Sequence, residues 1–458
     1  MLLVAYVLPH PPLAVPEVGK GGELEIKDTI ASYIQTAAEI RALAPETIVF
    51  ISPHATAYYD YIHISPSTSA SGDFSSFGAE DVSFNVLYDV DFVRELSALA
   101  ETNMLPAGDK HEREKALDHG VMVPLYYIDR EYKDYMLVRI GLSGLSCLEH
   151  YQFGSLIGIA AEKLSRRTVI IASGDLSHKL KNSHYGYAPE GEEFDRLTMN
   201  ALRNADFLAL MNIDPALSRA AGECGLRSFL IMAGALDKKG VEPRFLSYEG
   251  PFGVGYGACA FQITGRDDKR NFGGQFQAEQ SQRVKKEHAE ASPYAALARL
   301  AAEHIINTGR SLKPPKELLD KDAALRKAVF VSCKKNGELR GCIGSISPTC
   351  DNIVQEIIRF AEAAVLQDPR FPPVKAEELS TLSYSVDVLE APEPASFEEL
   401  DVKIYGIIVS SGVKRGVLLP DLEGVNTPSE QVDIAKKKGG ILPDESYALE
   451  RFKVTRHR

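Results

Sequence analysis

Residues 2–13 read LLVAYVLPHPPL, an apolar run that ends on Pro9, His10 and two further prolines. A continuous apolar stretch of this length, stopped by Pro, has the form of a strand buried on both faces, the kind found in parallel sheets. A helix follows. In EIKDTIASYIQTAAEIRAL (25–43), Ile26, Ile30, Tyr33, Ile34, Ala37 and Ile40 recur at helical spacing, and Pro45 closes the segment before the strand TIVFIS (47–52). This β-α-β unit returns further on. The helix SLIGIAAEKL (155–164) leads into TVIIASGDLSH (168–178), and a helix over about 226–236 precedes the strand FLSYEG (245–250). The spacing predicts an α/β sheet domain.

Ligands of open α/β sheets gather outside the carboxyl ends of the strands. His10, His54 and His178 all lie just past such ends. If the first two strands are parallel neighbours, His10 and His54 meet at one rim and can share a metal ion. Each of the two follows a Pro, which stiffens the turn that carries it. A non-haem Fe(II) oxygenase needs two neutral imidazoles and a carboxylate on one face of the metal. The turn SGDLSH (173–178) presents Asp175, Ser177 and His178, and an imidazole there can take a proton near neutral pH. Asp175 and Ser177 read equally well as helix caps. LDHG adds Asp118 and His119, which taken alone fit a surface turn. YEGPFGVGYG (248–257) lacks the helix that a dinucleotide fingerprint must open, so it is read as a turn or a bulged strand end.

The 458 residues suggest two to three domains. The net charge of -12 argues against a nucleic-acid partner. No apolar run approaches the roughly 20 residues of a spanning helix, and the first residues lack the basic region of a signal peptide, so a cytoplasmic protein with no membrane contact is expected. Six cysteines (147, 224, 259, 333, 342, 350) without a CxxC pair exclude a zinc ribbon and a thioredoxin-like motif and fit a reducing compartment. From Gly265 the sequence turns polar with little apolar periodicity. The expected division is therefore 1–264, a linker at 265–291, and a second domain at 292–458. In the latter, a helix, two strands joined by the turn NGE, a helix and two more strands predict an α+β arrangement.

The ordered set LPHPP, SPHA, DHG and SGDLSH resembles the class III (LigB-like) extradiol ring-cleavage dioxygenases and their Memo-like relatives, over roughly residues 1–263. That resemblance implies His10 and His54 as ligands of Fe(II) or another divalent metal, His178 as acid/base and His119 beside it. It also implies a small aromatic, catecholic substrate with dioxygen. The third ligand should come from AAGECGLRSFLIMAGAL (220–236), which offers Glu223 and Cys224; the carboxylate of Glu223 is the expected donor, whereas Memo-like proteins resemble the stretch at Cys-Gly. LRGCIGSISP (339–348), DPRFPPV (368–374) and VKRGVLLPD (413–421) resemble the AMMECR family, pointing to Arg340, Gly341, Cys342, Gly344, Asp368, Arg370 and Phe371 as its surface. Cys342 reads either as a thiolate beside Arg340 or as a buried small residue. The pairing of the two domains is similar to systems that accompany a radical S-adenosylmethionine partner enzyme. A metal-binding scaffold, a metal-assisted hydrolase and a homo-oligomer remain open alternatives.

Overall fold

The computed structural model describes residues 1–322, 324–422 and 424–458. The chain divides into two compact units, Met1–Phe276 and Gln277–Arg458.

The first unit is built on six strands, β1 (Leu2–Leu8), β2 (Thr47–Ile51), β3 (Met136–Ile140), β4 (Thr168–Ser173), β5 (Lys239–Glu249) and β6 (Tyr256–Arg266). They lie in the order β3-β2-β4-β1-β6-β5, parallel from β3 to β1 and antiparallel from β1 to β5. The first two strands are thus not neighbours, contrary to the sequence expectation. β4 lies between them and pairs with both, Val7 with Ala172 and Ile51 with Ala172. Every residue of β2 and β4 is buried, so apolarity alone cannot rank the central strands. Side chains of β1 alternate between two cores: Ala5 and Val7 enter one, Val4, Tyr6 and Leu8 the other. Helices α1 (Lys27–Leu43), α2 (His119–Glu131), α3 (Cys147–Lys163) and α4 (Leu226–Ala235) cover the two faces. Full burial of one ring such as Phe50 is worth about 2–3 kcal/mol, and Phe50 is 0% exposed.

The polar segment 265–291, expected as a linker, folds differently. β6 runs to Arg266, and Phe272–Glu290 form helix α5. Phe276, Gln280 and Val284 are buried along it, a stripe with one member per turn. So thin a stripe is hard to see among charged residues. The division between units falls inside this helix.

In the second unit, helices α6 (Pro293–Thr308) and α7 (Ile353–Leu366) pack on strands β7 (Val329–Lys335) and β9 (Leu382–Leu389), with β8 (Glu338–Gly344) completing a hairpin. Asn336 and Gly337 both have positive φ, as the expected NGE turn requires of a tight hairpin. Strands β10 (Tyr405–Ser411) and β11 (Lys414–Leu418) and the C-terminal strand β12 (Ala448–His457) complete the sheet in the order β8-β7-β9-β12-β10-β11. β12 joins the two halves, pairing with β9 through Val454–His457 and with β10 through Ala448–Lys453. The expected α+β arrangement did not include β11, β12 or the helix Pro428–Gly439. Among the described residues no helix is long and apolar enough to cross a membrane.

Candidate metal centre

Because β4 separates β1 from β2, the turn 173–178 leaves the sheet between the loops that carry His10 and His54. Their Nε2 atoms are 3.0 Å apart. His119, at the first position of α2, joins them: its ring centroid is 3.9 Å from that of His54 and 5.4 Å from that of His10. Among the described residues these three imidazoles form the group able to hold a metal ion, with one ligand atom from each lying within 4.8 Å of the others.

The tautomer of His10 follows from its hydrogen bonds. The Ser173 hydroxyl donates to the Gly120 carbonyl at 2.6 Å, so its oxygen accepts from His10 Nδ1, 2.9 Å away. The proton of a neutral His10 therefore sits on Nδ1, and the Nε2 lone pair faces His54. Burial lowers the pKa of His10 well below the ordinary histidine value, lowers that of His54, and brings that of His119 down to about 3. Three neutral imidazoles converge. Ligand nitrogens at about 2.0–2.1 Å from one ion lie roughly 3.0–3.4 Å apart, which the His10–His54 pair matches. The donor set fits a divalent metal.

Around it lies a second set of groups. Asp175 Oδ1 accepts the His10 amide at 2.8 Å, and Oδ2 is 3.9 Å from His10 Nε2. Burial raises the pKa of this carboxyl to about 6. The Asp175 amide donates to Cys224 Sγ at 3.3 Å, and that sulfur is 3.6 Å from His10 Nε2. Burial pushes the Cys224 thiol well above its usual pKa. Close glycine packing produces this contact: a Cβ on Gly174 would stand 2.2 Å from Gly225 Cα, so a larger residue would drive the two turns apart. The His178 amide donates to Ala221, and its ring stacks on Tyr185 with centroids 5.5 Å apart. Its Nε2 is buried and without a hydrogen-bond partner among the described residues, and burial lowers its pKa.

Glu223 corrects the sequence reading. Its carboxylate accepts from Ser218 Oγ and from the Leu226 amide, both at 2.7 Å, and so closes the entry to α4 instead of joining the imidazoles. Adjacent residues diverge at a helix start. Cys224 takes the side that faces His10. Two further residues have a place here that the sequence reading does not give them. Asp175 fits a helix cap by sequence, and Arg139, 0% exposed, is the one charged residue in the strand MLVRI.

In the second unit Arg340 pairs with Glu378 (3.0 Å), not with Cys342. Asp368 accepts the Cys342 amide at 2.8 Å and is bridged by Arg370 at 2.7 Å, and burial raises the Cys342 pKa. These contacts pin the DPRF turn to β8, and burial disfavours the thiolate of Cys342.

The fold and the site define an α/β unit with three histidines at its strand ends that are placed to hold a metal ion, joined to a largely antiparallel α+β unit. The family described as the catalytic LigB subunit of aromatic ring-opening dioxygenase matches residues 4–259, and the family AMMECR1 matches residues 295–457. A Clostridium acetobutylicum protein is similar at 42% identity over 467 residues, covering 99% of this chain and 98% of its own length. A Thermotoga maritima protein is 43% identical over 169 residues, 36% of this chain and 97% of that protein. The crystal structure of an uncharacterized Pyrococcus horikoshii protein covers 36% of this chain and 88% of its own, at 31% identity and a TM-score of 0.34. The chain belongs to the LigB family and carries an AMMECR1 domain at its C-terminal end.

Proposed function

We propose that the first unit is an Fe(II)-dependent dioxygenase of the extradiol type, acting on a catecholic or related small aromatic substrate. The observation that carries this reading is the His10 Nε2 lone pair held toward His54 by Ser173, with His119 beside both. His10, His54 and His119 would hold the ion, which when bound supplies the electron chemistry and binds both substrate and dioxygen. This makes His119 a ligand, where the sequence suggested a catalytic neighbour. His178 takes a proton from a substrate hydroxyl at Nε2, an atom that is buried and without a hydrogen-bond partner among the described residues. Asp175 provides negative charge beside the cationic centre. Phe77 lies against His119 (ring centroids 5.5 Å) and Tyr185 against His178, giving the site aromatic walls. The second unit serves as an accessory domain.

A second reading rests on Cys224. Its sulfur, 3.6 Å from His10 Nε2, offers a soft donor that favours Zn(II) or Cu(I) and a metal-binding role without oxygenase chemistry. Anaerobic Fe(II) loading followed by oxygen-uptake assays over a panel of catechols separates the two. Uptake with any diol, lost in His178→Ala while iron is retained, supports the first reading. Silence across the panel with iron bound, together with tighter zinc or copper binding that Cys224→Ser abolishes, replaces it with the second.

A further inference from the structure

We propose that Arg139 is a positioning residue that sets two of the three imidazoles, His54 and His119, from a place away from the metal itself. The inference rests on the metal-centre reading above. Arg139 stands in β3 with a side chain that is 0% exposed, a setting where a guanidinium persists only if its donors are satisfied. Nε donates to Ser65 Oγ at 2.9 Å, and Nη1 donates to the Ala116 carbonyl. Nη2 donates to the Glu114 carbonyl at 2.9 Å and to Glu112 Oε1 at 3.3 Å. One cation thereby gathers the segment 112–116 around itself. The next residues are Leu117, Asp118 and His119.

Asp118 continues the chain of contacts. Its Oδ2 is buried, lacks a hydrogen-bond partner among the described residues and lies 3.8 Å from Arg139 Nη1. Its Oδ1 accepts from Ser52 Oγ, and that hydroxyl oxygen in turn accepts the His54 amide at 3.2 Å. The Ser52–Asp118 contact needs Gly120: a Cβ there would stand 2.3 Å from Ser52 Oγ and 2.9 Å from Asp118 Oδ1. This explains the DHG triplet physically. His119 is fixed through its neighbour Asp118, and His54 through Ser52, so both positions depend on the charge that holds Asp118. A guanidinium suits the task because its planar fork serves several acceptors at once, and a lysine ammonium cannot reproduce that fork.

The test uses the full metal-free chain titrated with Co(II), read by visible absorption and by affinity. Wild type, Arg139→Lys, Arg139→Gln, Asp118→Asn and His119→Ala are compared. Outer groups of this kind change metal affinity by about 10- to 100-fold. Arg139→Lys, Arg139→Gln and Asp118→Asn should weaken Co(II) binding by that factor and move the absorption bands toward those of His119→Ala. Folded Arg139 variants with wild-type affinity and bands overturn the proposal. If neither folds, Asp118→Asn decides, since it leaves every hydrogen bond of Arg139 to 112–116 in place: wild-type behaviour in that variant overturns the proposal equally. A wild-type chain that takes up no Co(II) fails one step earlier and removes the metal centre itself.

Discussion

Replacing Glu223 with Ala separates a structural carboxylate from a metal ligand. The side chain accepts hydrogen bonds from Ser218 Oγ and from the Leu226 amide. Each bond of this kind contributes about 1.5 kcal/mol, so these two come to roughly 3 kcal/mol. Truncation also strands the Ser218 hydroxyl in a partly buried place, which keeps the estimate from shrinking. For a domain of this size 1 kcal/mol moves the melting midpoint by about 2–4 °C, so Glu223→Ala should lower it by roughly 6–12 °C. Calorimetry on the full chain is the assay, since the two units can melt separately and one midpoint need not describe both. Metal affinity, measured at a temperature where the variant is folded, should stay within about threefold of wild type, well short of the tenfold or greater loss typical of a perturbed metal site. A variant that keeps its melting midpoint and loses its metal would refute the reasoning and return Glu223 to the coordination sphere.

Three other outcomes are expected. Ser173→Ala frees His10 Nδ1 from its acceptor, so the imidazole can carry its proton on the metal-facing nitrogen; affinity for Zn(II) should fall by about 10- to 100-fold in equilibrium dialysis, and unchanged affinity would show that the tautomer is set elsewhere. Asp195, which accepts the Ser177 amide and the Tyr248 hydroxyl, has its pKa raised by burial from 3.8 to about 7. The folded chain then holds a proton that the unfolded chain releases, so this group's contribution to stability is full below about pH 4, declines up to about pH 7 and is level above it. The drop is at most roughly 4 kcal/mol, and Asp195→Asn should flatten it in urea unfolding series across this range. A wild-type profile in the variant would show that Asp195 ionises normally. Gly225→Ala places a Cβ 2.5 Å from Phe229 Cζ and 2.9 Å from the Asp175 carbonyl, and should cost about 1–3 kcal/mol along with Cys224's contact to His10. Retained stability and an unaltered thiol reactivity would count against that packing.

The sequence by itself determined the class of the first unit and the strand ends at which its histidines stand. Short apolar runs rich in β-branched residues and ended by Pro or Gly read as strands leaving a core, so LLVAYVLPH, TIVFISPH and TVIIASGDLSH announced both the sheet and the rim where His10, His54 and His178 stand. The strand order was not legible there. Buried strands carry no polar face to rank them, and only pairing showed β4 between β1 and β2. The helix over 272–290 was missed because a single buried residue per turn gives almost no periodicity. The choice between Glu223 and Cys224 also lay beyond the sequence: two adjacent residues diverge in direction, and which of them faces His10 depends on how Gly174 and Gly225 let their turns approach. Arg139 shows the same limit. Its charge was visible in an apolar strand, but the partners that make the charge tolerable come from residues 65, 112, 114 and 116, which only the folded chain brings together.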